Sequence, residues 1–133
     1  MTDQELLNVA IKARELSYSP YSNFKVGAAV LTKDGKTFVG ANIENSSYPL
    51  CMCAERNALY NAYLNGYKKD DLLALAVVAD TDEVCSPCGA CRQVISELFP
   101  KSGKIIMGNL HSDFKITNIE ELLPYAFSGD DLK

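Results

Sequence analysis

Leu72-Leu73-Ala74-Leu75-Ala76-Val77-Val78-Ala79 is apolar at every position. A strand with one face in water alternates apolar and polar residues, whereas a strand covered on both faces does not. The run therefore reads as a central strand, and the segments on either side must supply its cover. On the N-terminal side, residues from about Cys53 to Asn65 read as a helix, with Gly66 as its stop. On the C-terminal side a helix is expected to start near Pro87 and end before Pro100, because proline is tolerated in a first turn that needs no amide donor. Lys104 to Leu110 and Phe114 to Ile116 then read as strands, and a short helix from Asn118 to Leu123 precedes Pro124.

Further out, Lys25 to Leu31 and Thr37 to Ile43 read as two strands joined at Asp34-Gly35, a hairpin signal. Thr2-Asp3-Gln4-Glu5 has the spacing of a capping box. After it Leu6, Ala10, Ala13 and Leu16 recur at helical spacing, widened by Leu7 and Ile11, so a first helix is expected to end near Ser17, ahead of Pro20. Strands alternating with helices predict a layered α/β fold, and the hairpin makes its sheet mixed. Residues 1–133 show no internal repeat, linker or low-complexity tract and read as one domain.

The bulk properties narrow the function. Apolar residues make up 47% and charged residues 23%, the balance of a soluble globular chain rather than a disordered one. Net charge is −4 and the Lys and Arg residues are scattered, so the basic face that grips a phosphate backbone is not expected. A small, roughly neutral ligand fits better than nucleic acid. No apolar run reaches the length that crosses a bilayer, which sets a membrane role aside. The acidic, polar Met1–Glu5 stretch is unlike a secretory signal, so the expected setting is cytoplasmic. Five cysteines cannot all pair, and in a reducing compartment clustered cysteines read as metal-binding or catalytic.

Two segments carry that chemistry: Cys51-Met52-Cys53-Ala54-Glu55-Arg56 and Cys85-Ser86-Pro87-Cys88-Gly89-Ala90-Cys91-Arg92. A catalytic zinc site uses three protein ligands and leaves a position open, whereas a structural site is closed by four. Zinc deaminases follow the pattern ligand, one residue, Glu, then a distant Pro-Cys-x-x-Cys. Cys53-Ala54-Glu55 and Pro87-Cys88-Gly89-Ala90-Cys91 reproduce it, with Cys in place of His. Cys88 and Cys91, three apart, are expected on one helix face in the first turn after Pro87. Cys53 also falls at a helix start, where free amide donors and partial positive charge favour thiolates. Three thiolates on one zinc leave net negative charge, and Arg56, in the same first turn as Cys53, is the expected compensation. Glu55 reads as the acid/base that moves protons between water and substrate, and not as a ligand. A closed structural site made of Cys85, Cys88 and Cys91 with Cys51 or Cys53 is the alternative, although Cys85 lies ahead of Pro87 and is expected off the helix.

With those motifs in place, the chain resembles the small, homotetrameric, zinc-dependent cytidine deaminases over nearly its full length. The stretches that carry the resemblance are Tyr18-Ser19-Pro20-Tyr21-Ser22-Asn23-Phe24-Lys25-Val26-Gly27-Ala28-Ala29, Asn42-Ile43-Glu44-Asn45, Cys53-Ala54-Glu55-Arg56 and Ser86-Pro87-Cys88-Gly89-Ala90-Cys91-Arg92-Gln93. The resemblance implies a three-layer α/β/α sandwich around a mixed five-stranded sheet. It implies one Zn2+ per subunit on Cys53, Cys88 and Cys91, with Glu55 as proton shuttle and Arg56 bonded to the ligand sulfurs. It implies that Asn42 and Glu44 bind the ribose hydroxyls, that Phe24 lines the base pocket, and that main-chain groups of Ala54 and Ser86 sit by the base and the water. It further implies a homotetramer with shared sites, in which Phe127 stacks on a neighbour's base and Tyr48 lies at a subunit contact. The implied reaction is hydrolytic deamination of cytidine and 2′-deoxycytidine in pyrimidine salvage. Cys51 and Cys85 are departures that the resemblance does not require. A blasticidin-type deaminase shares the zinc motifs without the Asn42-Ile43-Glu44 ribose contacts, and a non-catalytic structural zinc module is the reading outside this chemistry. His111, in the turn-like Asn109-Leu110-His111-Ser112 segment, reads as an exposed residue with no ligand role.

Overall fold

The computed structural model describes residues 1–132. Thr2 caps the first helix, α1 (Asp3–Ala13): its hydroxyl accepts from the Glu5 N–H at 3.1 Å, and the Glu5 carboxylate accepts from the Thr2 N–H at 2.9 Å. Both bonds satisfy amides that have no partner inside the helix. Thr2→Ala is therefore expected to cost about 1 kcal/mol, read as a lower urea midpoint with an unchanged slope.

A short 3-10 turn, Arg14–Leu16, carries the chain from α1 towards β1 (Val26–Thr32), and the hairpin at Asp34-Gly35 leads into β2 (Thr37–Ala41). Then come α2 (Ala54–Leu64), β3 (Leu72–Ala79), α3 (Gly89–Leu98), β4 (Lys104–Asn109), β5 (Phe114–Thr117) and α4 (Ile119–Leu122). The five strands form one sheet in the order β2-β1-β3-β4-β5. β3 runs antiparallel to β1 and parallel to β4, and the outer pairs β1–β2 and β4–β5 are antiparallel. The sheet is therefore mixed, with the apolar run at its centre. α2 closes at Gly66, whose φ of +92° only glycine adopts without strain.

Alternate residues of each central strand point to opposite layers. Ala28, Val30, Leu75, Val77, Ile105 and Met107 pack with Ala58 and Leu59 of α2 and Ile95 of α3. Ala29, Leu31, Ala74, Ala76, Val78 and Ile106 pack with Leu6, Leu7 and Ala10 of α1. This is the three-layer arrangement: α1 on one face, α2 and α3 on the other. Leu73, 48% exposed near the start of β3, is the exception to double-sided cover.

Two glycines let the helices close on the sheet. A Cβ on Gly27 would lie 2.0 Å from the Ala10 carbonyl oxygen of α1, and one on Gly40 would lie 2.3 Å from the Ala54 carbonyl oxygen of α2. The second contact matters for the site, because it seats the first turn of α2 directly on β2.

Some boundaries differ from the sequence expectation. β2 stops at Ala41 because Ile43 leaves β1 and pairs instead with Met52 and Tyr18. α3 starts at Gly89, so Pro87 and Cys88 precede it and do not form its first turn. Cys88 is extended (φ −68°, ψ 170°) and caps the helix. Among the described residues, no helix is long and apolar enough to cross a membrane.

Candidate active site

α2 and α3 begin on the same side of the sheet, and each begins at a cysteine. Cys53 is the residue before α2 and Cys88 the residue before α3, both with extended backbone. Their sulfurs are 3.7 Å apart. At a helix start the capping residue and the residue three further on are neighbours, the relation that a capping box exploits. In α3 that relation sets Cys91 beside Cys88. In α2 it sets Arg56 beside Cys53, and Arg56 Nη2 donates to Cys53 Sγ at 3.4 Å. The sulfurs of Cys53, Cys88 and Cys91 all lie within 4.8 Å of one another.

Two positive helix ends and a guanidinium thus surround three thiols. The neighbouring Cys91 thiol is the main cause that holds the Cys53 thiol down at about 5, with Arg56 and Cys88 adding to the effect. The same proximity raises Cys91, and the Cys53 thiolate holds Arg56 firmly in its charged form. Arg56 Nε is buried and lacks a hydrogen-bond partner. A further thiolate would offer it an acceptor, and a cation that deprotonates Cys88 and Cys91 would provide one. The donor set, its spacing and this unpartnered donor all fit zinc. Cys91 is buried and Cys88 exposed, so the cluster opens to one side.

Glu55 follows Cys53 by two residues and is 4% exposed. Burial raises its carboxyl from 4.5 to about 7, with the Cys53 charge adding to the rise and Cys91 and Arg56 opposing it. A carboxyl poised near neutrality can both take and give a proton.

Cys85 and Cys51 stand outside the cluster. The Cys85 N–H bonds the Gly108 carbonyl of β4 at 3.0 Å, which ties that residue to the sheet, and burial pushes its thiol up to about 12. The Cys51 thiol instead meets the backbone of Asn45, accepting from its N–H at 3.3 Å. Among the described residues the gathered metal-type donors are three, not four.

A ladder of single bridges brings the other candidates alongside. Ile43 exchanges two backbone bonds of 2.9 Å with Met52, and on its other side Tyr18 bonds Asn42 and Glu44 at 3.0 and 2.8 Å. Asn42, Glu44 and the Tyr18–Phe24 segment are thereby fixed next to Cys53. Phe24 is 44% exposed and is not part of the core. Ala54 is buried at the first position of α2, and Ser86 is exposed just before Pro87. Tyr48 and Phe127 are 68% and 58% exposed, so neither packs inside this chain. Tyr48 meets Tyr21 edge-on at 6.2 Å between ring centres. Gln93 Nε2 donates to the Phe127 carbonyl at 3.0 Å and holds the C-terminal segment against α3. His111 is exposed and pairs with Asp80 at 3.3 Å, away from the thiols.

Two kinds of residue escaped the sequence reading. Ser17 and Ser22 bond Asn42 and Glu44 across more than twenty residues of chain, and hydroxyls in a turn give no signal of such partners. Arg92 joins the Pro87 carbonyl at 2.8 Å to the Leu122 carbonyl at 2.9 Å, which ties the cysteine loop to the end of α4. A cavity of about 580 Å³ against Ile119, Leu123 and Tyr125 shares none of the candidate residues.

The chain is similar throughout to proteins of one kind. A family model described as the cytidine and deoxycytidylate deaminase zinc-binding region matches residues 1–108. The cytidine deaminase of Halalkalibacterium halodurans is 53% identical over 132 residues, covering 99% of this chain and 98% of the relative. That of Sporosarcina psychrophila is 48% identical, covering 99% and 96%. The crystal structure of cytidine deaminase from Burkholderia pseudomallei superposes with a TM-score of 0.93 at 50% identity, covering 96% of this chain and all of that one.

Proposed function

The chain belongs to the cytidine and deoxycytidylate deaminase family, and from that premise we propose that it hydrolyses cytidine and 2′-deoxycytidine to the uridines with release of ammonia. The observation that carries the reading is the convergence of three sulfurs and the buried Glu55 at two helix starts.

Cys53, Cys88 and Cys91 would hold one zinc ion per chain. Zinc bound there supplies Lewis-acid activation of a water molecule. Arg56 offsets the charge of the thiolates. Glu55 takes the proton of the attacking water and delivers it to N3 of the pyrimidine ring. It then carries the second proton to the amino group leaving C4, so one water is consumed and one ammonia released. Glu55, being buried, keeps that proton from bulk solvent between the two transfers.

Asn42 and Glu44 would bind the ribose, Phe24 the base, and the main-chain groups of Ala54 and Ser86 the base and the water. The exposed Phe127 and Tyr48 support a homotetramer in which a neighbour completes each site, since rings of that size gain by burial. A site built on three thiolates needs its cysteines kept reduced, which supports a cytoplasmic setting, and the reaction suits pyrimidine salvage.

The direct test loads the protein with zinc, measures metal per chain, and follows cytidine, deoxycytidine, cytosine and blasticidin by ultraviolet absorbance. The expected outcome is about one zinc per chain and turnover of the two nucleosides. Stoichiometric zinc with neither nucleoside consumed would sink the reading. Sedimentation of a fully active monomer would remove the tetramer.

A further inference from the structure

Glu44 is more constrained than a surface carboxylate normally is. Its Oε1 accepts from the Tyr21 N–H at 3.0 Å and the Ser22 N–H at 3.1 Å, and its Oε2 accepts from the Ser22 hydroxyl. The Ser22 hydroxyl in turn accepts from the Phe24 N–H at 3.0 Å, which leaves its own hydrogen to point at Glu44. An ionised carboxylate offers about four acceptor places. Three are taken by this one loop, and the last is on Oε2. The Ser22 bond is also the main cause that holds the Glu44 carboxyl below its ordinary range, so the group stays an acceptor.

Asn42 shows the opposite polarity. Its Oδ1 accepts from the Val26 N–H at 2.9 Å and the Ser17 hydroxyl at 2.5 Å, and its Nδ2 donates to the Phe24 carbonyl at 2.7 Å. Because the Val26 N–H can only donate, the amide orientation is settled, and one Nδ2 hydrogen is left over. The two side chains therefore offer one free donor and one free acceptor.

We propose that Ser22 is a positioning residue for sugar recognition: its hydroxyl, braced by the Phe24 N–H, locks the Glu44 carboxylate so that a single acceptor place faces a hydroxyl of the nucleoside. The proposal rests on the reading of Glu44 as a sugar contact. Without the Ser22 hydroxyl, Glu44 keeps its two backbone donors on Oε1 but gains freedom at Oε2. The cost then falls on substrates that carry the hydroxyl and not on the deamination chemistry, which lies at the cysteine cluster.

The test compares cytidine with 2′,3′-dideoxycytidine, which lacks both hydroxyls, in zinc-loaded wild type, Ser22→Ala and Ser22→Thr. Ser22→Ala is expected to lower kcat/KM for cytidine roughly tenfold, mainly through KM, and to change the dideoxy substrate by less than about twofold. Ser22→Thr keeps the hydroxyl and should recover most of the loss. In a Glu44→Gln background, Ser22→Ala should add little. Equal losses on both substrates would make Ser22 a mere brace of the loop and overturn the proposal, as would no loss on either. A wild type that fails to distinguish the two substrates would instead remove the sugar role of Glu44, and the proposal with it. Discrimination by wild type that Ser22→Ala preserves would overturn the proposal alone.

Discussion

Glu55→Gln is expected to lower kcat by about 10²–10⁴-fold while zinc content stays at about one per chain. Glutamine matches the shape of glutamate and keeps its hydrogen-bonding reach, but it cannot accept the proton of water and release it to the ring. The residue is 4% exposed, so bulk solvent is poorly placed to take over its two proton transfers. Zinc content by elemental analysis and nucleoside turnover on the same sample check the two halves of the expectation. Near-normal turnover would sink the role of Glu55, and loss of zinc would show that its carboxylate is a ligand.

The same substitution has a second consequence, for stability. Burial places the folded carboxyl at about 7 against 4.5 for the ordinary group. Between those values the folded state holds more protons than the unfolded state, so stability of the metal-free protein falls as pH rises through that window. Above it the full penalty of a buried charge is in place. Metal-free Glu55→Gln is therefore expected to be more stable than metal-free wild type at about pH 8, with the gain fading towards pH 4.5. Urea titrations at several pH values measure it, and a pH-independent difference would contradict the cause given.

The second large effect concerns the cysteines. Cys88→Ser and Cys91→Ser are each expected to lose zinc and activity together, whereas Cys85→Ser is expected to keep both. Loss of a residue that merely supports a ligand costs roughly 10–100-fold in metal affinity, so loss of a ligand should cost more. Cys85 lies outside the group of three sulfurs, with its N–H bonded to the Gly108 carbonyl of β4. Zinc retained in Cys88→Ser, or lost in Cys85→Ser, would change the ligand set. Activity and metal content must be read on folded samples, and far-ultraviolet circular dichroism gives that control.

Much of this site was legible beforehand because its parts lie close in sequence. Cys53, Glu55 and Arg56 share one helix start, and so do Cys88 and Cys91, and local geometry relates residues that near to each other. The same local reasoning misplaced the start of α3, because it took Pro87 as a first-turn residue. The structure instead has Cys88 extended as the cap, and that brings its sulfur within 3.7 Å of Cys53. The serines were beyond reach. Ser22 is an unremarkable turn residue until the Tyr18–Ile43 and Ile43–Met52 bridges carry Glu44 to it.

Residues 72–79 by themselves determined that a strand lies at the centre of a layered fold, because an apolar residue at every position demands cover on both faces. The two cysteine segments by themselves determined that zinc chemistry was in view, because ligand type and spacing are local properties. Only the tertiary structure decided that α2 and α3 start at the same place, that Gly40 lets α2 settle on the sheet to put them there, and that Cys85 and Cys51 are held elsewhere. The physical reason is that a metal site needs donors within a few ångströms of one another, and residues 35 positions apart, such as Cys53 and Cys88, reach that distance only by packing.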